Sequence, residues 1–276
     1  MLIDTHCHLD AGEFDADRMA VARQAQDAGV AAMVIPAVAR ANFAVVRDLA
    51  HAVAGGAYAL GIHPLYVAGS RDEDLAALRE AVAEAMGDPR FVAVGEIGLD
   101  FFVREIAEGE PRRRQERFYA AQLEIAAEFG LPVLLHVRRS QDIVLKHLRR
   151  IRVPGGIAHA FNGSAQQAQG FVDLGLALGL GGAMTYPRAL QIRRHAAEMP
   201  LSHLVLETDA PDIPPAWLHG EHRRNAPAEV AGVARVLAEL RGMEAGEAIA
   251  ATGRAARRVL PRLDGVPEVA ARLAGG

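Results

Sequence analysis

The chain has 276 residues, of which 51% are hydrophobic and 23% are charged, and its formal net charge is −4. This composition is that of an ordinary folded protein, which excludes an intrinsically disordered chain, and the net charge provides no general attraction to nucleic acid. The single cysteine excludes an intramolecular disulfide framework and a cysteine-based zinc finger, and we expect a cytoplasmic protein.

Eight short apolar stretches recur along the chain, and each predicts a strand that is buried on both faces, as in a parallel sheet. They cover residues 1–4, 31–38, 57–62, 91–97, 131–137, 155–161, 176–184 and 203–209. Segments between them have the apolar spacing of amphipathic helices, for example 43–53 and 118–129. The alternation predicts an α/β fold, a single (β/α)8 TIM-type barrel domain over 1–276.

The chain continues beyond the eighth predicted strand. Residues 226–241 and 244–260 predict two closing helices, and we expect the last residues up to Gly276 to fray. The first residues, MLIDTH, do not have the basic region, apolar stretch and cleavage site of a secretion signal. The longest apolar stretch, 174–184, is shorter than the about 20 residues that a membrane-spanning helix needs. We therefore expect neither secretion by that route nor contact with a membrane.

Most of the predicted strands end in residues that bind metals or transfer protons. Barrel enzymes place their active sites at the carboxyl ends of the strands, so these side chains are expected to converge. They are His6 and His8 after strand one, His63 after strand three, Glu96 in strand four, His136 in strand five, His159 in strand six and Asp209 in strand eight.

The stretch HCH at residues 6–8 is the most specific of these signals. Successive side chains of an extended strand alternate faces, so His6 and His8 point the same way and Cys7 points the other way. Burial of two neighbouring imidazoles without a partner would be costly, which favours metal ligation. Cys7 is expected to be a small buried side chain.

These residues are too numerous for one tetrahedral ion, which takes about four ligands and leaves one position to water in a catalytic site. Two divalent ions fit the set better, with Glu96 as the candidate that bridges them. Mixed nitrogen and oxygen ligands suit Zn, Mn, Mg or Fe, and the sequence does not distinguish among these metals. Asp209 has a second interpretation, because an aspartate before a helix is a common N-cap.

Other histidines lie on predicted helices or at strand starts and are expected to be solvated or satisfied by hydrogen bonds. They are His51, His147, His195 and His203.

The motifs DTHCHLD, GIHP, GEIGLDF, PVLLHVR, HAFNGS and ETDAP, in this order over residues 3–211, resemble those of the TatD family of metal-dependent deoxyribonucleases. A weaker match follows in HRRNAP at 222–227. The resemblance implies an amidohydrolase-like barrel in which His6, His8 and Asp209 hold one ion, His136 and His159 hold a second, and Glu96 bridges them. It further implies that His63 faces the substrate phosphate and assists catalysis, and that a further ion can bind near Glu207 and Asp209.

The sequence departs from the family pattern at a few positions. Ala160 and Asn162 stand where a cysteine or serine is usual, and Thr252-Gly253-Arg254 replaces a Thr-x-Asn pattern. These departures indicate a divergent branch, and the charged segment 102–115 after strand four can reshape substrate access.

The predicted reaction is hydrolysis of a phosphodiester by water that two metal ions activate. We expect Asp209 to act as general base and His63 to contact a phosphoryl oxygen or the leaving group. Basic residues on loops at the same end of the barrel are candidates for phosphate binding, above all Arg139 and Arg224, with Arg138 and Arg223 beside them. The expected partners are DNA ends or a small phosphodiester, and no obligate protein partner is indicated.

Two other functions remain open from the sequence. A related barrel hydrolase could act on an ester or amide, as an aminoacyl-tRNA deacylase does. Many cyclic-amide and phosphotriester hydrolases bridge their ions with a carbamylated lysine, however, and this chain offers Glu96 instead. A protein that only binds metal is the second alternative, and closed coordination without an exchangeable position would favour it.

Overall fold

The computed structural model of the chain describes residues 1–220 and 223–275. In this part of the chain eight parallel strands form one sheet, in which each strand pairs with the next strand in sequence. The strands are β1 (Leu2–Asp4), β2 (Val30–Pro36), β3 (Gly56–Leu60), β4 (Phe91–Asp100), β5 (Val133–Arg138), β6 (Gly156–Ala158), β7 (Leu176–Leu180) and β8 (Leu204–Leu206). The two outer strands also meet, because the amide of Thr5 donates a hydrogen bond to the carbonyl of Leu206 at 3.0 Å. The predicted (β/α)8 barrel is confirmed.

Helices alternate with the strands and extend beyond the last one. They are α1 (Arg18–Asp27), α2 (Phe43–Ala52), α3 (Glu73–Ala85), α4 (Gly109–Glu128), α5 (Gln141–Arg150), α6 (Ala165–Asp173), α7 (Leu190–Glu198), α8 (Val230–Arg241), α9 (Ala245–Val259) and α10 (Pro267–Ala274). Short 3-10 segments cover Gly12–Phe14, Arg40–Asn42, Pro64–Gly69, Arg104–Ile106, Gly182–Thr185, Leu201–His203, Pro227–Glu229 and Pro261–Gly265. The larger apolar core lies between the strands and the surrounding helices.

The interior of the barrel is filled mainly by small and β-branched side chains, which pack as a solid core. This second core contains Ile3, Ala32, Val34, Ala57, Ala59, Val92, Ala93, Leu134, Ile157, Ala177 and Val205. Side chains from the C-terminal helices continue it, with Leu260, Leu263 and Val269 fully buried. The end of the chain therefore closes the amino-terminal end of the barrel.

The chain forms a further helix in the C-terminal segment where fraying was expected. The two predicted closing helices are present as α8 and α9, but the chain then forms α10, which is anchored by Val269 in the barrel core. Arg262 strengthens this anchor, because its guanidinium donates hydrogen bonds to the carbonyls of Met86, Asp88 and Phe91. Composition alone did not predict this, because α10 has only two large apolar side chains, Val269 and Leu273, and the barrel core lies far away in sequence.

Five of the predicted strands, namely β2, β3, β6, β7 and β8, end two to four residues earlier than expected, and β6 and β8 precede residues of the candidate site. The structure ends β6 at Ala158 and β8 at Leu206, whereas the apolar pattern extends to residues 161 and 209. The backbone leaves the extended conformation there, with φ of 45° at Ala160 and 56° at Asp209. The side chains that follow β6 and β8 are thereby turned toward the mouth of the barrel.

Strand β4 has an irregularity at Glu96. Its pairing with β5 shifts register between Val94 and Ile97, and such bulges re-aim a side chain relative to the sheet. Two residues further, Gly98 has φ of 141°, and a Cβ at that position would lie 2.1 Å from the carbonyl oxygen of His136. Only glycine permits this close approach of the two strands.

Among residues 1–220 and 223–275, no helix combines the length and the apolar character that crossing a bilayer requires.

Candidate metal centre

The seven side chains that the sequence predicted at the strand ends converge at the carboxyl end of the barrel. The carboxylate of Glu96 is only 1% exposed and lies at the centre of the group. Its Oε2 atom lies 3.1 Å from Nε2 of His6 and 3.3 Å from Nε2 of His8. Its Oε1 atom faces a second group of imidazoles, at 3.0 Å from Nδ1 of His136 and 3.1 Å from Nε2 of His159. The two oxygens of one carboxylate thus serve two separate sets of nitrogen atoms.

Three overlapping clusters offer ligand atoms within 4.8 Å of one another. They are His6, His8 and Asp209; His6, Glu96 and His159; and His63, Glu96 and His136. Imidazole nitrogens and carboxylate oxygens in this arrangement are consistent with a binuclear metal site of a hydrolase.

The ends of β1 and β8 hold the first cluster together. The amide of Asp209 donates to the carbonyl of His6 at 2.8 Å, and the amide of His8 donates to the carbonyl of Ala210 at 2.7 Å. These bonds place Oδ1 of Asp209 3.7 Å from Nε2 of both histidines. Buried Asp4 adds a further link, since its carboxylate accepts hydrogen bonds from the amide and the hydroxyl of Thr208.

The electrostatics of the cluster follow from burial and from the crowding of like and unlike charges. Burial lowers the pKa of His6 to about 3 and raises the pKa of Asp209 to about 6. Burial also opposes ionisation of Glu96, but the surrounding imidazoles of His63, His6 and His159 hold its pKa well below its usual value. Glu96 is therefore an ionised carboxylate that can bind a cation.

His136 is oriented by Asp100, a buried carboxylate that the sequence reasoning missed. Nε2 of His136 lies 3.0 Å from Oδ2 of Asp100, so Nε2 carries hydrogen and the lone pair of Nδ1 faces Glu96. Burial opposes ionisation of Asp100, but its hydrogen bond with His136 lowers its pKa to about 2. A carboxylate that holds the remote nitrogen of a histidine is the usual outer partner of a metal ligand.

This orientation tests whether a cation fits the site. In a neutral His136 ring the Nδ1 lone pair and the Glu96 oxygen face each other at 3.0 Å, and this contact needs a hydrogen donor or a positive charge beside it. Nε2 of His63, at 3.0 Å from Nδ1, can supply the hydrogen. A proton can supply that charge, and hydrogen bonds to Asp100 and Glu96 do raise the pKa of His136 against the effect of burial. A divalent ion supplies it equally well, so the donor set fits a metal.

His63 differs from the other histidines in the tautomer that its contacts impose. Its Nδ1 atom accepts a hydrogen bond from the amide of Leu65 at 3.2 Å, so a neutral ring carries its hydrogen on Nε2. Burial keeps the ring neutral by lowering its pKa to about 4. Nε2 lies 3.0 Å from Nδ1 of His136 and 3.3 Å from Oε1 of Glu96, within the third cluster, and toward both it is a donor rather than a lone pair. This geometry favours His63 as a hydrogen-bond donor over a role as metal ligand.

Helix α4 positions two of these segments with glutamine side chains. The amide of Gln122 makes a two-point contact with the backbone of Ile62, next to His63, at 2.7 and 3.0 Å. Gln115 makes the corresponding contact with the backbone of Asp100, at 2.9 and 3.2 Å. Both glutamines are 1% exposed and lie seven residues apart on one face of the helix. Their spacing is the signal from which they could have been found in the sequence.

Glu207 also lies at the centre, below His159. Its Oε1 atom accepts a hydrogen bond from the amide of Ala160 and lies 3.6 Å from Nδ1 of His159. Its Oε2 atom is buried and has no hydrogen-bond partner among the described residues. The acidic pair that the resemblance associates with a further ion is therefore buried at the base of the site.

A cavity of about 890 Å³ opens above these residues. The end of β5 and the loops after β3, β4 and β5 contribute Tyr66, Phe102, Arg138 and Arg139 to its lining, and the loops after β1 and β8 contribute Asp10, Glu13 and Asp212. Because β1 and β8 lie across the barrel from β4 and β5, these two groups form opposite walls. Four residues other than glycine have positive φ in the described ranges, namely Arg139, Ala160, Asp209 and Ile213, and all four line this cavity. Concentration of such strain at one place is typical of functional sites.

The structure separates the two arginines predicted to bind substrate. Arg139 lines the cavity, whereas Arg224 is not among the lining residues and is paired with Asp17 at 2.6 Å. Of the motif HRRNAP, His222 lies outside the described residues, and Asn225 is buried and donates to the carbonyls of Thr208 and Asp212. Arg223 is exposed and is likewise absent from the lining residues, so for Arg223 and Arg224 substrate binding stays a prediction.

The histidines that were expected to lie outside the site do not line the cavity. His195 is buried and hydrogen-bonds to the carbonyl of Gly163, and His51 pairs with Asp88. Both have the structural partners that a satisfied histidine needs.

Comparison with known proteins gives consistent matches over nearly the whole chain. The family model described as TatD related DNase matches residues 3–261. The chain is 42% identical over 246 residues to the uncharacterized metal-dependent hydrolase YjjV of Escherichia coli strain K12, covering 89% of this chain and 92% of that protein. It is 33% identical over 249 residues to the 3'-5' ssDNA/RNA exonuclease TatD of Erwinia billingiae, covering 88% and 92%. The crystal structure of Escherichia coli YjjV superimposes with a TM-score of 0.86 at 40% identity, covering 94% of this chain and 98% of that chain.

Proposed function

Because this chain belongs to the TatD family of metal-dependent hydrolases, we propose that it hydrolyses phosphodiester bonds at the ends of DNA or in small phosphodiesters. The relative named as an exonuclease supports this choice among the reactions of metal-dependent hydrolases. The main support for the proposal is the position of the Glu96 carboxylate. One of its oxygens faces His6 and the other faces His136, and both lie beneath an open cavity.

The proposal assigns His6, His8 and Asp209 to one divalent ion and His136 and His159 to a second, with Glu96 between them. The bound ions, whether Zn, Mn, Mg or Fe, would supply Lewis acidity and lower the pKa of water toward neutrality. Asp100 would keep His136 in the tautomer that presents Nδ1, because the hydrogen on Nε2 points to its carboxylate.

Two side chains are proposed to act on the reacting groups. Asp209 would accept the proton of the attacking water, since its carboxylate lines the cavity and lies beside His6 and His8, which would hold the same ion. His63 would donate its Nε2 hydrogen to a phosphoryl oxygen or to the leaving group, because Leu65 holds its other nitrogen as an acceptor. Arg139, at the edge of the cavity, would pair with a phosphate of the substrate.

A substrate panel tests the proposal against the two other functions. The metal-stripped protein is reconstituted with each of the four metals and assayed with a 3′-labelled oligonucleotide, bis(p-nitrophenyl) phosphate and an aminoacyl ester. We expect metal-dependent cleavage of both phosphodiesters and loss of this cleavage in Glu96→Gln, which has nearly the same shape without the charge. Cleavage of the ester alone would show an acyl hydrolase, and full metal loading without cleavage of any substrate would show a metal-binding protein.

A further inference from the structure

A cluster of one aromatic ring and two guanidinium groups forms part of the cavity wall beside His136. Phe102 follows β4, and the guanidinium carbons of Arg138 and Arg139 lie 3.8 and 4.6 Å from the centre of its ring. We call these three residues the Phe102 platform. All three line the cavity that contains the candidate metal centre.

The platform is accessible to a ligand. Phe102 remains 44% exposed although two guanidinium groups lie against it, which is unusual for a large aromatic side chain. Arg138 is half-exposed and lies 3.8 Å from the Asp100 carboxylate. The nearer partner of that carboxylate is His136, at 3.0 Å. Arg139 forms no ion pair with the described residues. The surface therefore offers to the cavity two guanidinium groups that lie on an aromatic ring.

The opposite wall has the reverse charge, because Asp10, Glu13 and Asp212 line it. A polyanion that reaches the candidate metal centre meets repulsion on that side and attraction on the platform side. The strand of a nucleic acid is thereby directed over Phe102 and away from the acidic wall.

Aromatic rings and guanidinium planes are the surfaces on which unpaired bases stack, and arginine is also the preferred partner of phosphate. We propose that the Phe102 platform binds the nucleotide next to the scissile phosphate, with its base stacked on the guanidinium plane of Arg138 that lies on the Phe102 ring and its phosphate paired with Arg139. This inference rests on the proposed function and deepens it, since it selects a single-stranded nucleic acid over a small phosphodiester as the preferred substrate.

The experiment measures binding separately from catalysis. Metal-loaded protein is titrated into a fluorescent single-stranded oligothymidine of five nucleotides with phosphorothioate linkages, which resist hydrolysis, and into an abasic strand with the same linkages. Phe102→Leu is expected to bind the oligothymidine about tenfold more weakly than wild type and the abasic strand equally well, since stacking requires the base. Arg139→Ala is expected to weaken binding of both strands.

Phe101→Leu is the matched control, because Phe101 also packs under an arginine, with the guanidinium carbon of Arg112 at 4.1 Å, but does not line the cavity. It should bind both strands within twofold of wild type, and Phe102→Trp should retain binding of the oligothymidine. Equal affinity of Phe102→Leu and wild type for the oligothymidine would overturn the proposal, as would absence of binding by wild type. A failure of phosphodiester cleavage would leave these binding results in force, so the two proposals are judged independently.

Discussion

The two ends of the barrel hold their residues in opposite ways. At the carboxyl end, five histidines, Glu96 and Asp209 lie close together under an open cavity, where their ionisable groups interact directly. At the amino-terminal end, α9, α10 and the segment between them close the barrel with buried leucines and valines. In this chain, as in other barrel enzymes, the residues that stabilise the fold close one end of the barrel, and the candidate metal ligands lie at the other.

A histidine–aspartate pair occurs at each end of the barrel, and the two pairs differ in burial. His136 and Asp100 form a buried pair at the carboxyl end, with 3.0 Å between Nε2 and Oδ2. His51 and Asp88 form a pair with 2.7 Å between the same atoms, but His51 is half-exposed and lies outside the candidate centre. Variants at the two ends should therefore change different measurements, and the following four begin with the largest expected effect.

Replacement of the central carboxylate should have the greatest effect on activity. We expect Glu96→Ala to lower kcat/KM for a phosphodiester by about a thousandfold or more, since both ions lose a shared ligand and their charges face each other uncompensated. Metal analysis of the purified variant should show less than the wild-type content. Wild-type metal content and activity in this variant would contradict the role of Glu96 as a bridge.

Removal of a large side chain at the closed end should change stability instead. Leu263 is fully buried in the barrel core, so Leu263→Ala is expected to lower the free energy of unfolding by about 2–5 kcal/mol in urea titration. Leu273→Ala, at a leucine of α10 that is 38% exposed, is the control and should change it by less than about 0.5 kcal/mol. A large decrease of kcat in folded Leu263→Ala would show that the two ends are coupled.

His63→Ala should separate catalysis from metal binding at the carboxyl end. Because its Nε2 atom carries a hydrogen, we expect both ions to stay bound while kcat decreases by about a hundredfold. The matched control is His51→Ala, at the half-exposed histidine, which should keep kcat within twofold. If His63→Ala loses metal as Glu96→Ala does, then His63 is a ligand.

The smallest of the four effects is expected for the outer partner of His136. Asp100 accepts from the amides of Phe102 and Val103 with Oδ1 and from Nε2 of His136 with Oδ2, whereas asparagine has one acceptor oxygen and no charge. We therefore expect Asp100→Asn to lower metal affinity by about 10- to 100-fold in competition with a chromophoric chelator. Asp88→Asn makes the same change in the pair at His51 and should leave metal affinity unchanged. Equal affinities of Asp100→Asn and wild type would show that His136 needs no such partner.

The sequence predicted the barrel and most of the candidate centre because both depend on regular local patterns. Apolar runs alternate with helical spacing, and the polar residues that end the runs must meet at one end of a parallel barrel. The same reasoning did not identify Asp100, although it lies four residues after Glu96 on the same strand and thus on the same face. The spacing of Glu96 and Asp100 in the motif GEIGLDF therefore indicated that both side chains reach the site.

What the sequence determined by itself is which chemical groups reach the carboxyl end, since strand periodicity and strand order place them there. Only the tertiary structure decided the tautomers of His63 and His136, the packing of α10 under the barrel, and the separation of Arg139 from Arg224. These features depend on contacts between segments far apart in the chain, such as Asp100 with His136 and Asp17 with Arg224. Their geometry is set by side-chain packing and loop closure, which no local periodicity encodes.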